Sequence, residues 1–308
     1  MSAKKIYGNF FLKGMGMGAA NVIPGVSGGT IALITGIYEK LINSLKSFDL
    51  KAIKMILSGR FKDFTEYVNF NFLFAVFAGV GISIFSLAKM LEYLFDNHPV
   101  YLWAYFFGLI LASVYYVGKT VNKWNVTNVI SLFIGTGLAT VISLLNPTTE
   151  NDGMFYMFVC GIVAISSMIL PGLSGSFVLI LMGNYMLILT SITELNFSVL
   201  IPFGFGCIVG LLAFSHILAW VFKKFRDTTI TLLTGFIMGS LLILWPWKEE
   251  IFLKESGEIV LKNGEKIIQG YNWYAPEMNF ESSFAFLLIL GGVASIWVIE
   301  FMGNKLKS

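Results

Sequence analysis

The sequence predicts an all-α polytopic membrane protein built as an inverted repeat. Each half is a re-entrant helical hairpin followed by three transmembrane helices, and a small extracytoplasmic β-hairpin lobe is added near the end. Three observations carry this prediction. The 308 residues are 56% hydrophobic and 13% charged, with a mean hydropathy of +0.77, a balance far from that of soluble globular domains. Six apolar stretches reach the roughly 20 residues that cross about 30 Å of hydrocarbon. One unit also occurs twice: Pro24-Gly25-Val26-Ser27-Gly28 and Pro171-Gly172-Leu173-Ser174-Gly175 each interrupt a long apolar run, and Gly36 and Tyr38 are echoed by Gly183 and Tyr185. The offset is 147 throughout (171 − 24, 174 − 27, 183 − 36 and 185 − 38). Duplication around broken hydrophobic helices is a transporter signature.

In chain order, the first repeat (1–147) opens with a hairpin over 8–45, bent at its Pro-Gly. A free backbone break is costly in lipid unless it is buried in protein or faces a polar cavity, which favours a re-entrant hairpin. Residues 48–67 alternate basic and apolar positions (Lys51, Ile53, Lys54, Ile56, Leu57, Arg60, Phe61, Phe64). This pattern suits a cytoplasmic helix lying on anionic lipid, and equally a solvated linker. Spans follow at 70–91, 99–118 and 124–145. The second repeat (148–308) has its hairpin at 153–193, spans at 197–222, 228–246 and 282–303, and a lobe at 247–281. In the lobe, Asn263-Gly264 between apolar residues predicts a β-hairpin over 257–270. Trp245, Trp247, Trp273 and Tyr274 beside it are expected to form an interfacial aromatic belt.

Three crossings are an odd number, so two such units in series face opposite ways. Lys and Arg cluster at 4–13, 40–62, 119–123, 223–226 and 305–307, all on one side of this map, which is then cytoplasmic, with both termini. The net charge of +3 does not point to nucleic acid as a partner. Cys160 and Cys207 sit in apolar runs with no metal-ligand spacing, so neither a metal nor another cofactor is expected. Gly25-Val-Ser27-Gly28-Gly29 fits the letters of a hydrolase nucleophile elbow, but the strand-to-helix context is wrong. No catalytic residue is assigned, and the chain is not expected to be an enzyme.

The broken helices are the candidate site. A helix start leaves amides unpaired and carries the positive dipole end, so Ser27, Gly28, Gly29 and Thr30 of one copy, with Ser174, Gly175 and Ser176 of the other, would bind an anion where the hairpins meet. Pro24, Gly25, Pro171 and Gly172 make the breaks. Dipoles alone are too weak to hold a phosphate, so hydrogen bonds and a cation or proton must contribute. Elsewhere, Gly14 with Gly18, Gly206 with Gly210, and Gly235 with Gly239 read as small-residue packing contacts. Asn21, Glu39, His216 and Glu300 are candidates for a gate or proton relay; for His216 a packing role competes, for Glu39 an interfacial cap. Lys13 could reach a hairpin cavity, although a cytoplasmic anchor is the preferred reading.

The run from Asn21 to Glu39, with Leu170-Pro-Gly-Leu-Ser-Gly-Ser-Phe177, closely resembles the PopT-type polyprenyl-phosphate transporters, once a family of unknown function. The resemblance covers essentially the whole membrane region and leaves 247–281 without a counterpart. It implies a multi-pass protein of the bacterial cytoplasmic (inner) membrane that returns undecaprenyl phosphate across the bilayer for reuse in cell-envelope polymer synthesis. Relatives commonly have an acid where Asn21 stands, which speaks against a scheme in which that position carries a proton. The residues by themselves also admit a secondary transporter for a small soluble anion or ion-coupled solute, or a scaffold for envelope enzymes. Whether H⁺ or Na⁺ is coupled, and the oligomeric state, are not encoded legibly.

Overall fold

The computed structural model describes residues 3–22, 27–145, 148–252, 254–255, 258–259, 261–262, 265–266 and 268–305. The chain begins with α1 (Ala3–Val22), α2 (Gly28–Ile34) and α3 (Tyr38–Lys46), continues through α4 (Leu50–Leu57) and α5 (Phe61–Tyr67), and then runs through α6 (Phe70–Asn97), α7 (Pro99–Gly118) and α8 (Val126–Leu144). The second series is α9 (Met154–Ile169), α10 (Gly175–Leu181), α11 (Tyr185–Glu194), α12 (Phe197–Lys224) and α13 (Arg226–Leu244), then a strand lobe, then α14 (Phe280–Lys305).

Among the described residues, α7, α8, α12, α13 and the Phe280–Val298 part of α14 are long and apolar enough to cross a membrane. A sixth span arises if α5 and the start of α6, which meet at a 65° bend, count together. Helices run over the six stretches expected as spans, with ends moved by a few residues, the largest change being α6, which runs to Asn97 rather than 91.

Two differences concern the hairpins and the segment after the first. The returning limb of each hairpin is not one helix but two. Gly36 (φ +71°) and Gly183 (φ +72°) adopt the left-handed conformation that ends a helix. The closing bonds match: Ile37 N–H donates to Ala32 O at 2.9 Å and Asn184 N–H to Leu179 O at 3.0 Å. Residues 48–67 form two short helices rather than one, because Gly59 (φ +70°) breaks them in the same way.

Helices pair where glycine removes the side chain. A Cβ on Gly14 would lie 2.1 Å from Val76 O and one on Gly79 2.1 Å from Phe11 O, so α1 and α6 touch backbone to backbone. Gly161 and Gly206 do the same for α9 and α12. Lipid provides no hydrophobic drive between helices, so close packing of this kind must hold them. The pairing then crosses over: α8 packs on α13 through Gly135 and Gly235, and α14 packs on α7 through Gly292 and Gly108. Equivalent glycines in the later helices are offset by 127 (206 − 79 and 235 − 108). The drop of 20 from 147 equals the length of 48–67, the segment present in one half only.

The lobe is larger than a single hairpin. β1 (Lys248–Phe252) pairs antiparallel with β6 (Ile268–Trp273) as its stem. Within it β2 (Lys254–Glu255) pairs β3 (Glu258–Ile259), and β4 (Leu261–Lys262) pairs β5 (Glu265–Lys266). Ile259 therefore pairs back to Lys254 rather than forward across the expected turn, while Asn263 and Gly264 lie outside the described residues. Trp247 is not part of a surface belt: it is 3% exposed and packs against Trp245 and Phe286, leaving Trp245, Trp273 and Tyr274 at the margin.

Candidate functional site at the junction of the two helix breaks

The two breaks are in direct contact. Ser27, in extended backbone (φ −114°, ψ 136°), caps α2: its Oγ accepts from Gly29 N–H at 3.1 Å. The same hydroxyl lies 3.1 Å from Leu170 O and 3.2 Å from Met168 O, where it donates to the carbonyl end of α9. Tyr38 Oη donates to Ile169 O at 3.0 Å, and Gly172 N–H donates to Thr30 Oγ1 at 2.9 Å. The last carbonyls of a helix have no partner within it, so the first hairpin supplies for α9 what α9 cannot supply for itself. Ser27, Thr30 and Tyr38 are 2%, 1% and 1% exposed.

This closure uses up the first tip. Gly28 N–H donates to Asn21 Oδ1 at 2.7 Å, Gly29 N–H to Ser27 Oγ, and Thr30 N–H to Ser27 O at 2.9 Å. A Cβ on Gly29 would sit 2.5 Å from Ile169 O, so this glycine admits protein backbone rather than a ligand. Gly175 of the second tip is packed as closely, its Cβ position lying 2.5 Å from Met168 Cγ and 2.7 Å from Ala164 O, but the capping there is different. Ser174 makes no cap; its Oγ is bonded to Ser176 Oγ at 2.8 Å. Among the described residues the amides of Gly175, Ser176 and Phe177 make no hydrogen bond.

The repeat offset explains the inequality. Met168 stands where the first copy has Asn21 and offers no equivalent acceptor for the Gly175 amide. Ser176 stands where the first copy has Gly29, and its hydroxyl takes the Ser174 hydroxyl that would otherwise cap the helix. Both exchanges are visible in the sequence once the two units are aligned, and reading the units as equivalent overlooks them.

A cavity of about 320 Å³ lies at this junction, lined by the polar residues Asn21, Ser27, Ser174, Ser176 and Tyr185 with Gly175, and by apolar residues that include Met168, Leu173, Leu179, Ile188 and Phe203. None of the described residues lining it is charged. The structure thus gathers Ser27, Ser174, Gly175 and Ser176 around one space. It commits Gly28, Gly29 and Thr30 to the seam between the hairpins instead. Pro24 and Gly25 lie outside the described residues. Pro171 and Gly172 form the second break, and Gly172 (φ +82°) lies so close to Phe236 O that a Cβ would come within 2.5 Å. Tyr185 is a lining residue not anticipated as such: its repeat counterpart Tyr38 is locked to Ile169, whereas Tyr185 faces the cavity.

The relay candidates scatter. Asn21 lines the cavity. Glu39 pairs with Arg226 at 3.2 Å, both side chains about half exposed. His216 is exposed on α12 with Nδ1 2.8 Å from Leu212 O, and Glu300 lies in α14 with its side chain outside the described residues. Lys13 donates from Nζ to Thr35 O at 2.7 Å and so places a cation at the negative end of α2.

Comparison with known proteins identifies the family. The family described as "VCA0040-like: Undecaprenyl phosphate translocase-like" matches residues 17–260. A polyprenyl-phosphate transporter of Vibrio cholerae is 40% identical over 256 residues, 82% of this chain and 83% of that protein. A polyprenyl-phosphate transporter of Staphylococcus aureus is 32% identical over 253 residues, 76% and 85% of the two chains. No solved structure matches. These relatives are named as transporters, not enzymes. A multi-pass membrane chain matched over most of its length in this way belongs to the undecaprenyl phosphate translocase-like family.

Proposed function

We propose that the chain is a lipid-carrier flippase that moves undecaprenyl or another polyprenyl phosphate across the bacterial cytoplasmic membrane, with the phosphate held at the second helix break. The observation that carries this reading is the row of uncapped amides at Gly175, Ser176 and Phe177 beside the Ser174 and Ser176 hydroxyls, at the edge of a cavity between the hairpins. Tyr185 and Asn21 complete the polar wall. The rest of the lining is apolar, which suits the first isoprene units better than the hydration shell of a soluble anion. The volume falls at the small end of the ~300–1,000 Å³ of ligand pockets, enough for a head group but not for a polyprenyl tail. The tail stays in lipid, where each buried methylene contributes about 0.8 kcal/mol.

A seven-residue helix contributes roughly 1 kcal/mol through its dipole, up to ~2 when partly buried. That is small against the dehydration of a phosphate. With no charged lining residue among those described, the phosphate travels with a proton or metal cation of its own. The crossed pairing of α8 with α13 and α14 with α7 supports an inverted repeat of halves 1–147 and 148–308, whose exchange of roles opens the site to either leaflet. The placement of Lys and Arg supports cytoplasmic termini.

The test is a flipping assay in proteoliposomes. A labelled polyprenyl phosphate should cross between leaflets, slower with Ser174→Ala plus Ser176→Ala, while inorganic phosphate should not accumulate. Accumulation of inorganic phosphate without lipid movement would make this a soluble-anion carrier.

A further inference from the structure

The 20 residues between the first hairpin and α6 break the likeness of the two halves, and their surface is unlike a solvated linker. Along α4, Leu50, Ile53 and Leu57 are 77%, 51% and 81% exposed, and Phe61 at the start of α5 is 63% exposed. Ala52 and Met55, on the opposite side of α4, are buried against the protein. The i, i+3, i+7 spacing of the three aliphatics puts them in one outward stripe. Lys54, four residues after Leu50 and three before Leu57, flanks that stripe, and Lys62 follows Phe61; both are exposed and neither makes an ion pair among the described residues. Arg60 is 3.9 Å from Asp63, and Lys51 lies over the Tyr67 ring. The fold of the pair is fixed from within: Asp49 caps α4 through Lys51 and Ala52 N–H and accepts from Tyr67 Oη at 2.8 Å. The direction of α5 is also fixed, since it meets the start of α6 at 65°. A helix that leaves a membrane span at such an angle lies closer to the membrane plane than to its normal.

We propose that α4 and α5 form a foot seated in the anionic head-group layer of the membrane, with Leu50, Ile53, Leu57 and Phe61 inserted among the acyl chains and Lys54 and Lys62 at lipid phosphates. The occupant is phospholipid because the exposed stripe is apolar, its rim is cationic, and the adjoining span fixes its depth at the bilayer surface. The foot belongs to one half only, so it ties that half to one leaflet while the other is free to move against it.

The test uses the full chain with Cys207→Ala, Cys160 being fully buried, and an environment-sensitive fluorophore on Leu57→Cys. The protein is reconstituted in phosphatidylcholine vesicles with or without phosphatidylglycerol. Head-group spin-labelled lipid should quench the probe, more strongly by roughly two-fold or more with the anionic lipid, and Lys54→Glu with Lys62→Glu should remove the difference. Water-like emission in both vesicles, quenching indifferent to lipid charge and to the substitutions, or self-quenching between labelled copies that shields the probe from lipid would each overturn the proposal. None of these readouts involves polyprenyl phosphate, so the foot and the flippase reading stand or fall separately.

Discussion

Converting the second helix break into a copy of the first tests the proposal that the second tip binds phosphate. In the first tip Asn21 accepts from Gly28 N–H at 2.7 Å and Ser27 from Gly29 N–H at 3.1 Å. The double variant Met168→Asn with Ser176→Gly places the same two acceptors opposite the amides of Gly175 and residue 176. A gained helix cap contributes about 0.5–2 kcal/mol. Met168 is 45% exposed, so its removal forfeits roughly half of the ~1.5–3 kcal/mol that full burial provides. The two effects nearly cancel, leaving an apparent unfolding temperature within about 2–4 °C of the parent. Binding behaves otherwise. Polyprenyl phosphate at 100 times its dissociation constant stabilises the parent by about 2.7 kcal/mol, and this should vanish once the amides are capped. Thermal unfolding in detergent with and without the lipid measures both quantities, and flipping in vesicles should fall in parallel. If the double variant is shifted by the lipid as the parent is, the uncapped amides are not the phosphate site.

Three further outcomes follow from the geometry. Ser27→Ala removes the acceptor of a buried amide and the donor to the α9 carbonyls; it should lower stability by about 1–3 kcal/mol, read as a lower unfolding temperature even without substrate. Gly108→Ala places a Cβ 2.0 Å from Ile289 O and should reduce the yield of monodisperse protein on gel filtration, whereas Gly204→Ala, with nothing within 4 Å, should be tolerated or raise stability by about 0.5–1 kcal/mol. For Asp49, desolvation is the largest single influence and raises the carboxyl pKa, but hydrogen bonds from Ala52, Tyr67 and Lys51 together outweigh it, so the value is lowered on folding. Its stabilisation is therefore complete above the unfolded value of about 3.9 and is lost as pH falls through the folded value. Amide exchange at Lys51 and Ala52 should be insensitive to pH near neutrality, beyond its intrinsic dependence, and lose protection only in that acid range.

Much of this fold is legible because a bilayer permits little else. Runs such as 99–118 and 197–222 must be helices, since lipid satisfies no backbone group, and the structure places α7 and α12 there. The Pro-Gly repeats likewise announce the breaks. What stays hidden is how tertiary partners spend the exposed groups. Nothing local shows that Ser27, Thr30 and Tyr38 face the carbonyl end of α9, so their amides and hydroxyls read as free when they are committed to the seam. Trp247 fails for a similar reason: an aromatic residue at a span end is at home in the interface or in a core, and Phe286, some 40 residues away in the chain, decides the matter. The two residues that make the tips unequal, Met168 and Ser176, are apparent only when each is compared with its counterpart, Asn21 and Gly29.

That inequality bears on transport itself. If the halves exchange roles between leaflets, the opposite state has Ser174, Phe177 and Tyr185 gripping the end of α1 as Ser27, Thr30 and Tyr38 now grip the end of α9. Serine and tyrosine are preserved in the exchange, but Phe177 has no oxygen to accept the amide that Thr30 accepts from Gly172 at 2.9 Å. One hydrogen bond of about 1 kcal/mol net is therefore missing from the opposite state, a bias of roughly five-fold toward the state seen here. Phe177→Thr should restore the bond and bring the two populations closer together. The helix packing offers the readout: α3 now lies against α12, with Tyr38 and Phe222 ring centroids 5.7 Å apart, and among the described residues α11 has no comparable contact with α6. Spin labels on α3 and α12 should show a short distance predominating by about five to one over a longer one in the parent, and the longer one gaining population in Phe177→Thr. An unchanged distance distribution, in a variant that still folds and flips lipid, would mean that the two halves do not trade places.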